Sequence, residues 1–237
     1  MIRALFLVVA ATALTSCAVV PTGPIELKDE SLAGPANRIA VYMTEIPSTN
    51  TKFPGAGCLL CIGVANAAHT SMTRHVQSLQ PEGLDTIPEK MIETLNAKGA
   101  TAFRHQSKID VDDLEDFTGE GSGKTAPTKD FRPLAKTLNA DKLLLLNISS
   151  QGVLRGYAAY VPTDVPKAYV EGAGYMVDLK TNQYLWYWPV AFYQAAEGAW
   201  DEPPAFPGLT NAYYQVLIKA TEVIAATLTA KTPPPQK

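Results

Sequence analysis

The sequence predicts an α/β fold, with α+β left open, in which several helices pack on a mixed β-sheet and the chain ends in an amphipathic helix. Three observations lead to this class. Residues 142–149 form a continuous apolar run of strand length, typical of a strand buried on both faces. Apolar residues recur with helical spacing in residues 86–98 and 210–230. Three β-rich segments between residues 152 and 193 are separated by the turn sequences PTDVP and KTNQ.

The first half of the chain alternates between strands and helices. Residues 38–43, RIAVYM, predict the first strand, and residues 101–105, TAFRH, predict another. Between them, apolar side chains spaced by three and four positions predict a helix; these are Ala65, Ala68, Met72, Val76 and Leu79.

The helix at residues 86–98 has a clear start and stop. Thr86 and Glu89 match the T-x-x-E capping box, in which each side chain bonds a free backbone N–H. Gly99 follows the last helical residue and suits a left-handed termination.

The second half begins with an acidic, glycine-rich surface loop at residues 110–129. Asp130 is placed to cap a helix over residues 131–139, which leads into the apolar strand at residues 142–149. The three β-rich segments follow as a meander. The final helix carries one apolar stripe, formed by Tyr213, Val216, Leu217, Ala220, Val223, Ile224 and Leu228.

Composition indicates a globular chain and argues against nucleic-acid binding. Charged residues make up 18% and hydrophobic residues 46% of the 237 residues, and the net charge is −3. Lysines and arginines are scattered rather than clustered on one helix.

The N-terminus has the build of a secretory signal peptide. Arg3 precedes an apolar stretch at residues 4–13, which is too short to cross a membrane. The sequence LTSC at residues 14–17 resembles the lipobox of bacterial lipoproteins. This resemblance implies that residues 1–16 are removed and that Cys17 is acylated. Because Ala18 rather than aspartate follows, it also implies an outer-membrane anchor with the domain on the periplasmic face.

The remaining segments follow from this assignment. Residues 17–37 become a lipidated N-terminus and flexible tether, since the stretch is rich in proline, glycine and mixed charge. Residues 38–230 form a single domain, and residues 231–237 form a disordered tail.

The central part of the chain resembles a family. NAD at residues 139–141 precedes the apolar strand, and VDLKTNQYLW at residues 177–186 links two strands of the meander. This pattern resembles the CsgG-like or TolB-N-terminal-like periplasmic lipoproteins over residues 38–193, with Asn182 where those proteins commonly have glycine. The resemblance implies a role in envelope assembly, secretion or adaptor function, without catalytic residues or a cofactor.

Cys58 and Cys61 form a C-x-x-C pair that leaves several interpretations open. In an oxidising compartment the pair is either a local disulfide or two buried thiols. The alternative is the redox centre of a thiol-disulfide oxidoreductase. A metal site that also uses His69 and His75 is disfavoured, because six residues on a helix separate the two side chains by about 120°. No metal is therefore predicted.

Two motifs suggest catalysis or nucleotide binding only superficially. TGEGSGKT at residues 118–125 is close to a phosphate-binding loop, but it lacks the first glycine and neither follows a strand nor opens a helix. No G-x-S-x-G nucleophile motif occurs in the chain. We therefore expect neither nucleotide nor another cofactor.

An aromatic cluster offers the last candidate site. Strand alternation places Tyr184, Trp186 and Trp188 on one face, with Trp200 nearby in sequence. Such residues either pack in the core beneath the C-terminal helix or form a surface for a partner or a glycan.

The predicted function is that of an outer-membrane-anchored periplasmic lipoprotein, a non-enzymatic structural or adaptor component of an envelope assembly or secretion system. Its partners would be the membrane and either an envelope protein or a second copy of the chain. The alternatives are the oxidoreductase and the ligand-binding lipoprotein.

Overall fold

The computed structural model describes residues 23–34 and 37–229, and these residues form an α+β domain built on a mixed sheet. The strands are β1 (Arg38–Met43), β2 (Asn50–Lys52), β3 (Thr101–Arg104), β4 (Lys142–Leu154), β5 (Tyr157–Ala158), β6 (Val161–Pro162), β7 (Lys167–Asp178) and β8 (Tyr184–Ala195). The helices are α1 (Leu59–Ala68), α2 (Thr70–Ser78), α3 (Ile87–Ala97), α4 (Leu134–Leu138) and α5 (Pro207–Ala226).

The main sheet has the order β3-β1-β4-β7-β8, and β2 pairs with the far end of β4. β3, β1 and β4 are parallel, whereas β4, β7 and β8 form an antiparallel meander. The predicted mixed sheet with a C-terminal helix is therefore confirmed. The strand predicted at residues 142–149 extends to Leu154, so that β4 runs well beyond the end of β1.

Two cores cover the sheet. On one face, α2, α3 and α5 pack over the aliphatic and aromatic side chains of β1, β4, β7 and β8. On the other face, α4 and the loop before it cover only the part of the sheet around Leu143 and Leu145, through Phe131, Ile109 and Leu138. The continuous apolar run of β4 is explained by this double coverage.

The single helix expected around residues 65–79 is two helices. His69 lies between α1 and α2 with φ −118° and ψ 24°, outside the helical region. Because no proline or glycine marks this break, the apolar spacing alone predicted one continuous helix.

The capping box predicted at Thr86 and Glu89 is not formed. A 3₁₀ turn, Leu84–Thr86, runs directly into α3, so Thr86 has helical backbone angles rather than the extended ones of a capping residue. Its hydroxyl donates to the carbonyl of Gly83 (2.7 Å) instead. The left-handed Gly99 after α3 is present, with φ 89°.

Part of the segment expected to be a tether lies against the domain. Ile25 exchanges two backbone hydrogen bonds with Tyr187 in β8 (2.8 and 3.0 Å). A 3₁₀ turn, Asp29–Leu32, follows, and Leu32 is buried in the main core. Cys17 and residues 231–237 lie outside the described residues.

Candidate functional site

Helix α1 is unusually apolar for a helix on the surface. Its sequence, LLCIGVANAA, contains no charged residue, and only Cys61 and Ala65 are buried. Leu59 is 93% exposed and Leu60 68% exposed. An apolar helix normally buries such side chains, so the exposed residues of α1 mark a candidate contact surface.

The β5–β6 hairpin extends this apolar area. Tyr160 and Val161 at its tip are exposed, and the Tyr160 hydroxyl lies 3.7 Å from Cys58 Sγ at the start of α1. Residues 157–163 also lack charge. We call the exposed apolar residues of these two elements the α1 surface: Leu59, Leu60, Ile62, Val64, Tyr160 and Val161.

A disulfide joins Cys58 to Cys61 at the start of α1, with a Cα–Cα distance of 4.9 Å. Cys58 is the N-cap residue, and its Sγ accepts a hydrogen bond from the Cys61 N–H (2.9 Å). The first turn of α1 is thus held covalently while its leucines project into solvent. Over residues 23–34 and 37–229, no three His, Cys, Asp or Glu side chains are grouped to hold a metal ion.

The other end of α1 adjoins a cluster of polar and aromatic groups. His69 Nε2 lies 2.7 Å from the Tyr157 hydroxyl and 3.0 Å from Arg155 Nη1. Because a guanidinium can only donate, Nε2 is the acceptor and a neutral ring carries its proton on Nδ1. Burial, reinforced by the charge of Arg155, lowers the pKa of His69 and favours this neutral form.

A pocket of about 340 Å³ opens beside this cluster. The guanidinium of Arg155 stacks over the Trp200 ring, 4.8 Å from its centroid, and both residues line the pocket with Asp201. Buried Met72 and Phe206 form an apolar part of the lining. We call this cavity the Arg155 pocket. Among the aromatic residues singled out from the sequence, Trp200 is the one that contributes to it.

The other residues of the predicted aromatic surface do not form one. Trp186 and Trp188 are 1% and 3% exposed, because α5 covers their face of the sheet. Tyr184 lies on the opposite face against Tyr175, since Leu185 is an extra residue in β8 that interrupts the alternation. The core-packing interpretation holds for the tryptophans, and they are not available to a partner or a glycan.

A polar cluster on the open face of the sheet was missed from the sequence. Lys52 Nζ donates to Ser150 Oγ (2.8 Å), and Ser150 Oγ donates to Glu171 Oε2 (3.0 Å). Burial acts to lower the pKa of Lys52, but the hydrogen bond and charge of Glu171 outweigh it and raise that pKa. Lys52 is therefore protonated at neutral pH and does not act as a base toward Ser150.

The glycine-rich loop at residues 118–125 does not form a phosphate cradle. The backbone N–H groups of Lys124, Thr125 and Ala126 all donate to the carbonyl of Gly121. These amides are used within the loop, whereas a phosphate-binding loop directs them toward one ligand. In the described part of the chain no helix has the length and apolarity needed to span a bilayer.

No known protein family and no curated protein matches the chain. Among solved structures, the chain is similar to a hypothetical protein, CT253, from Chlamydia trachomatis, at 8% identity, 83% coverage of this chain, 100% coverage of that chain and a TM-score of 0.34. The chain is also similar to a PelC dodecamer from Paraburkholderia phytofirmans, at 12% identity, 88% coverage of this chain, 96% coverage of that chain and a TM-score of 0.31. Lipoprotein GNA1162 from Neisseria meningitidis is similar at 13% identity, 77% coverage of this chain, 96% coverage of that chain and a TM-score of 0.26. With every one of these TM-scores below 0.5, the similarities establish neither a shared function nor a shared mechanism.

Proposed function

We propose that this chain is an outer-membrane lipoprotein, anchored through Cys17 with its domain in the periplasm, that acts as a non-enzymatic structural or adaptor subunit and binds another envelope protein through the α1 surface. The exposed, charge-free α1 surface is the observation that carries this proposal. The lipobox resemblance at residues 14–17 supports the anchor.

The position of the α1 surface favours a protein partner over the anchoring membrane. Residues Ile25–Asp29 share a cleft with Leu228 and Thr229, just beyond the C-terminal end of α5. At the other end of α5, His75 of α2 bonds the Thr210 hydroxyl (2.7 Å), and α1 precedes α2 directly. A 20-residue helix is about 30 Å long, so the entry of the N-terminal segment and the α1 surface lie at opposite ends of the helix layer.

The length of chain before the domain adds to this argument. Six residue steps from Cys17 to Gly23 span at most about 22 Å even when fully extended. An acylated Cys17 would therefore hold the N-terminal end of the domain toward the bilayer. The α1 surface would then face the periplasm, where a protein or a second copy of the chain can reach it.

The partner is tested by site-specific photo-crosslinking in intact cells. A benzophenone amino acid in place of Leu60 is expected to give a defined crosslinked band, which a Leu59→Ser change in the same chain weakens. The matched control places the same group at Ile218, an exposed apolar residue of α5 (60%), and should give no such band. Equal crosslinking from both positions, or none from Leu60, would contradict the proposal.

The anchor is tested separately through Cys17→Ser. We expect the variant to leave the membrane fraction during an alkaline wash while its domain keeps the far-UV circular dichroism spectrum of the parent. A variant that stays in the membrane fraction would show that Cys17 is not the attachment point.

A thiol-disulfide oxidoreductase remains the second candidate, because exposed Cys58 caps α1 and Cys61 behind it is buried. That arrangement suits an attacking thiolate and a protected second thiol. The test measures the reduction of insulin by glutathione in the presence of the protein. If the protein is an adaptor, we expect the parent to give no faster reduction than a Cys58→Ser variant. Catalytic turnover that depends on Cys58 would favour the enzyme instead.

A further inference from the structure

The Arg155 pocket contains a cation that no carboxylate neutralises. Arg155 donates from Nε to the carbonyl of Asp164 (3.4 Å) and from Nη1 to His69 (3.0 Å). Within residues 23–34 and 37–229, its other three N–H groups have no hydrogen-bond partner and the guanidinium has no ion pair. Its planar fork matches a carboxylate, to which arginine can donate two parallel hydrogen bonds.

The same pocket also contains an unneutralised anion. Asp201 is exposed, lines the cavity, and forms no ion pair with Arg155 or with any other described residue. A simple anion would be repelled by Asp201, and a simple cation would be repelled by Arg155. A ligand with both charges satisfies both side chains.

The remaining lining sets the size and polarity of the ligand. Trp200, Met72 and Phe206 supply apolar surface next to the two charges. Small-molecule pockets commonly measure about 300–1,000 Å³. At about 340 Å³ this pocket is at the lower end of that range.

We propose that the Arg155 pocket binds a small zwitterion, an amino acid with an apolar side chain, whose carboxylate pairs with Arg155 and whose ammonium pairs with Asp201. Trp200 and Met72 contact the side chain of the ligand. His69 positions Arg155, because its Nε2 accepts a hydrogen bond from Nη1. This site is separate from the α1 surface and does not depend on the anchor.

The test is a titration of the full chain with L-leucine, followed by two-dimensional NMR of the indole N–H groups. The chain has three tryptophans, and buried Trp186 and Trp188 serve as internal references for Trp200. We expect the Trp200 signal to shift saturably while the other two stay still. Two analogues test the two charges: 4-methylpentanoate lacks the ammonium group, and 3-methylbutylamine lacks the carboxylate. Each should bind at least about tenfold more weakly than leucine.

Two variants assign the charges. Arg155→Gln should weaken leucine binding about tenfold or more, and Asp201→Asn should weaken leucine without weakening 4-methylpentanoate. Arg132→Gln, which breaks a surface pair with Asp130, is the matched control and should leave the titration unchanged. Glycyl-leucine, whose charges lie farther apart, distinguishes a free amino acid from a short peptide as the ligand.

The outcomes that overturn the proposal are distinct. Equal affinity for leucine and 4-methylpentanoate, with Asp201→Asn binding both more tightly, would make the pocket a simple anion site. No shift at Trp200 would mean that the pocket binds none of these probes. A Leu59→Ser, Leu60→Ser variant should bind leucine normally, so a failure of the adaptor proposal leaves this test unaffected.

Discussion

Helices α1 and α5 are both rich in apolar residues, but the fold uses them differently. α5 buries eight of its 20 residues against β7, β8 and α3, whereas α1 buries two of its ten. α5 also carries Lys219 and Glu222 among its remaining positions, while α1 has no charged residue at all. The apolar residues of α5 stabilise the domain, and most of those of α1 do not, which leaves them available for binding.

The largest expected effect comes from a substitution in the buried face of α5. Leu217→Ala in α5 removes a side chain that is 1% exposed and should lower the free energy of unfolding by about 2–5 kcal/mol. Leu60→Ala in α1 should change it by no more than about 0.5 kcal/mol, because the side chain is already in water. Urea unfolding of the purified proteins measures both, and a large loss in Leu60→Ala would mean that α1 is part of the core.

A second prediction concerns how α1 is held. The disulfide closes a loop with a sequence separation of only 3, so chain entropy limits its contribution to about 2 kcal/mol. We expect reduction to lower the melting temperature slightly and to speed amide hydrogen exchange in α1, with no change in α5.

The control for this experiment is a Cys58→Ser, Cys61→Ser variant, which should behave like the reduced protein and no longer respond to reductant. If α5 exchanged faster as well, the disulfide would support the whole domain rather than α1.

The elements that the sequence predicted correctly are those whose periodicity and burial agree. The apolar run of β4, the stripe of α5 and the alternation of β8 from Trp186 onward bury the side chains that define their pattern. The exposure of α1 could not be predicted, because apolar sequence ordinarily indicates burial. The bulge at Leu185, which separates Tyr184 from Trp186, leaves no local signal either.

The Arg155 pocket was beyond sequence reasoning for a different reason. His69, Arg155 and Trp200 are far apart in the chain and meet only because β4 extends past β1 to bring Arg155 beside the break between α1 and α2. No spacing rule connects three such positions. His69 was singled out as a disfavoured metal ligand, and its actual partners are Tyr157 and Arg155.

The smallest expected effect is a pH dependence of stability from two histidines of the helix layer. Burial lowers the pKa of His69, where α1 ends, and of His75, which bonds Thr210 in α5. Since both folded-state pKa values lie below the unfolded value of about 6.5, the unfolded chain binds more protons in that interval. The free energy of unfolding should therefore be highest above about pH 6.5 and fall as the pH drops from there toward the folded-state pKa values.

Glutamine variants assign this pH dependence to each histidine. His69→Gln keeps a hydrogen-bond acceptor for Arg155 and Tyr157 but cannot titrate. In urea unfolding at a series of pH values, the free energy of unfolding of this variant should therefore fall with a shallower slope below about pH 6.5 than that of the parent. His75→Gln should do the same independently, and the double variant should be shallowest, since the two side chains have separate partners. If His69→Gln kept the slope of the parent, His69 would take up its proton over the same pH range in the folded and the unfolded chain, and would be charged in the folded protein at acid pH. Its Nε2 could then not accept from Arg155, and the contact that positions the guanidinium in the pocket would be lost.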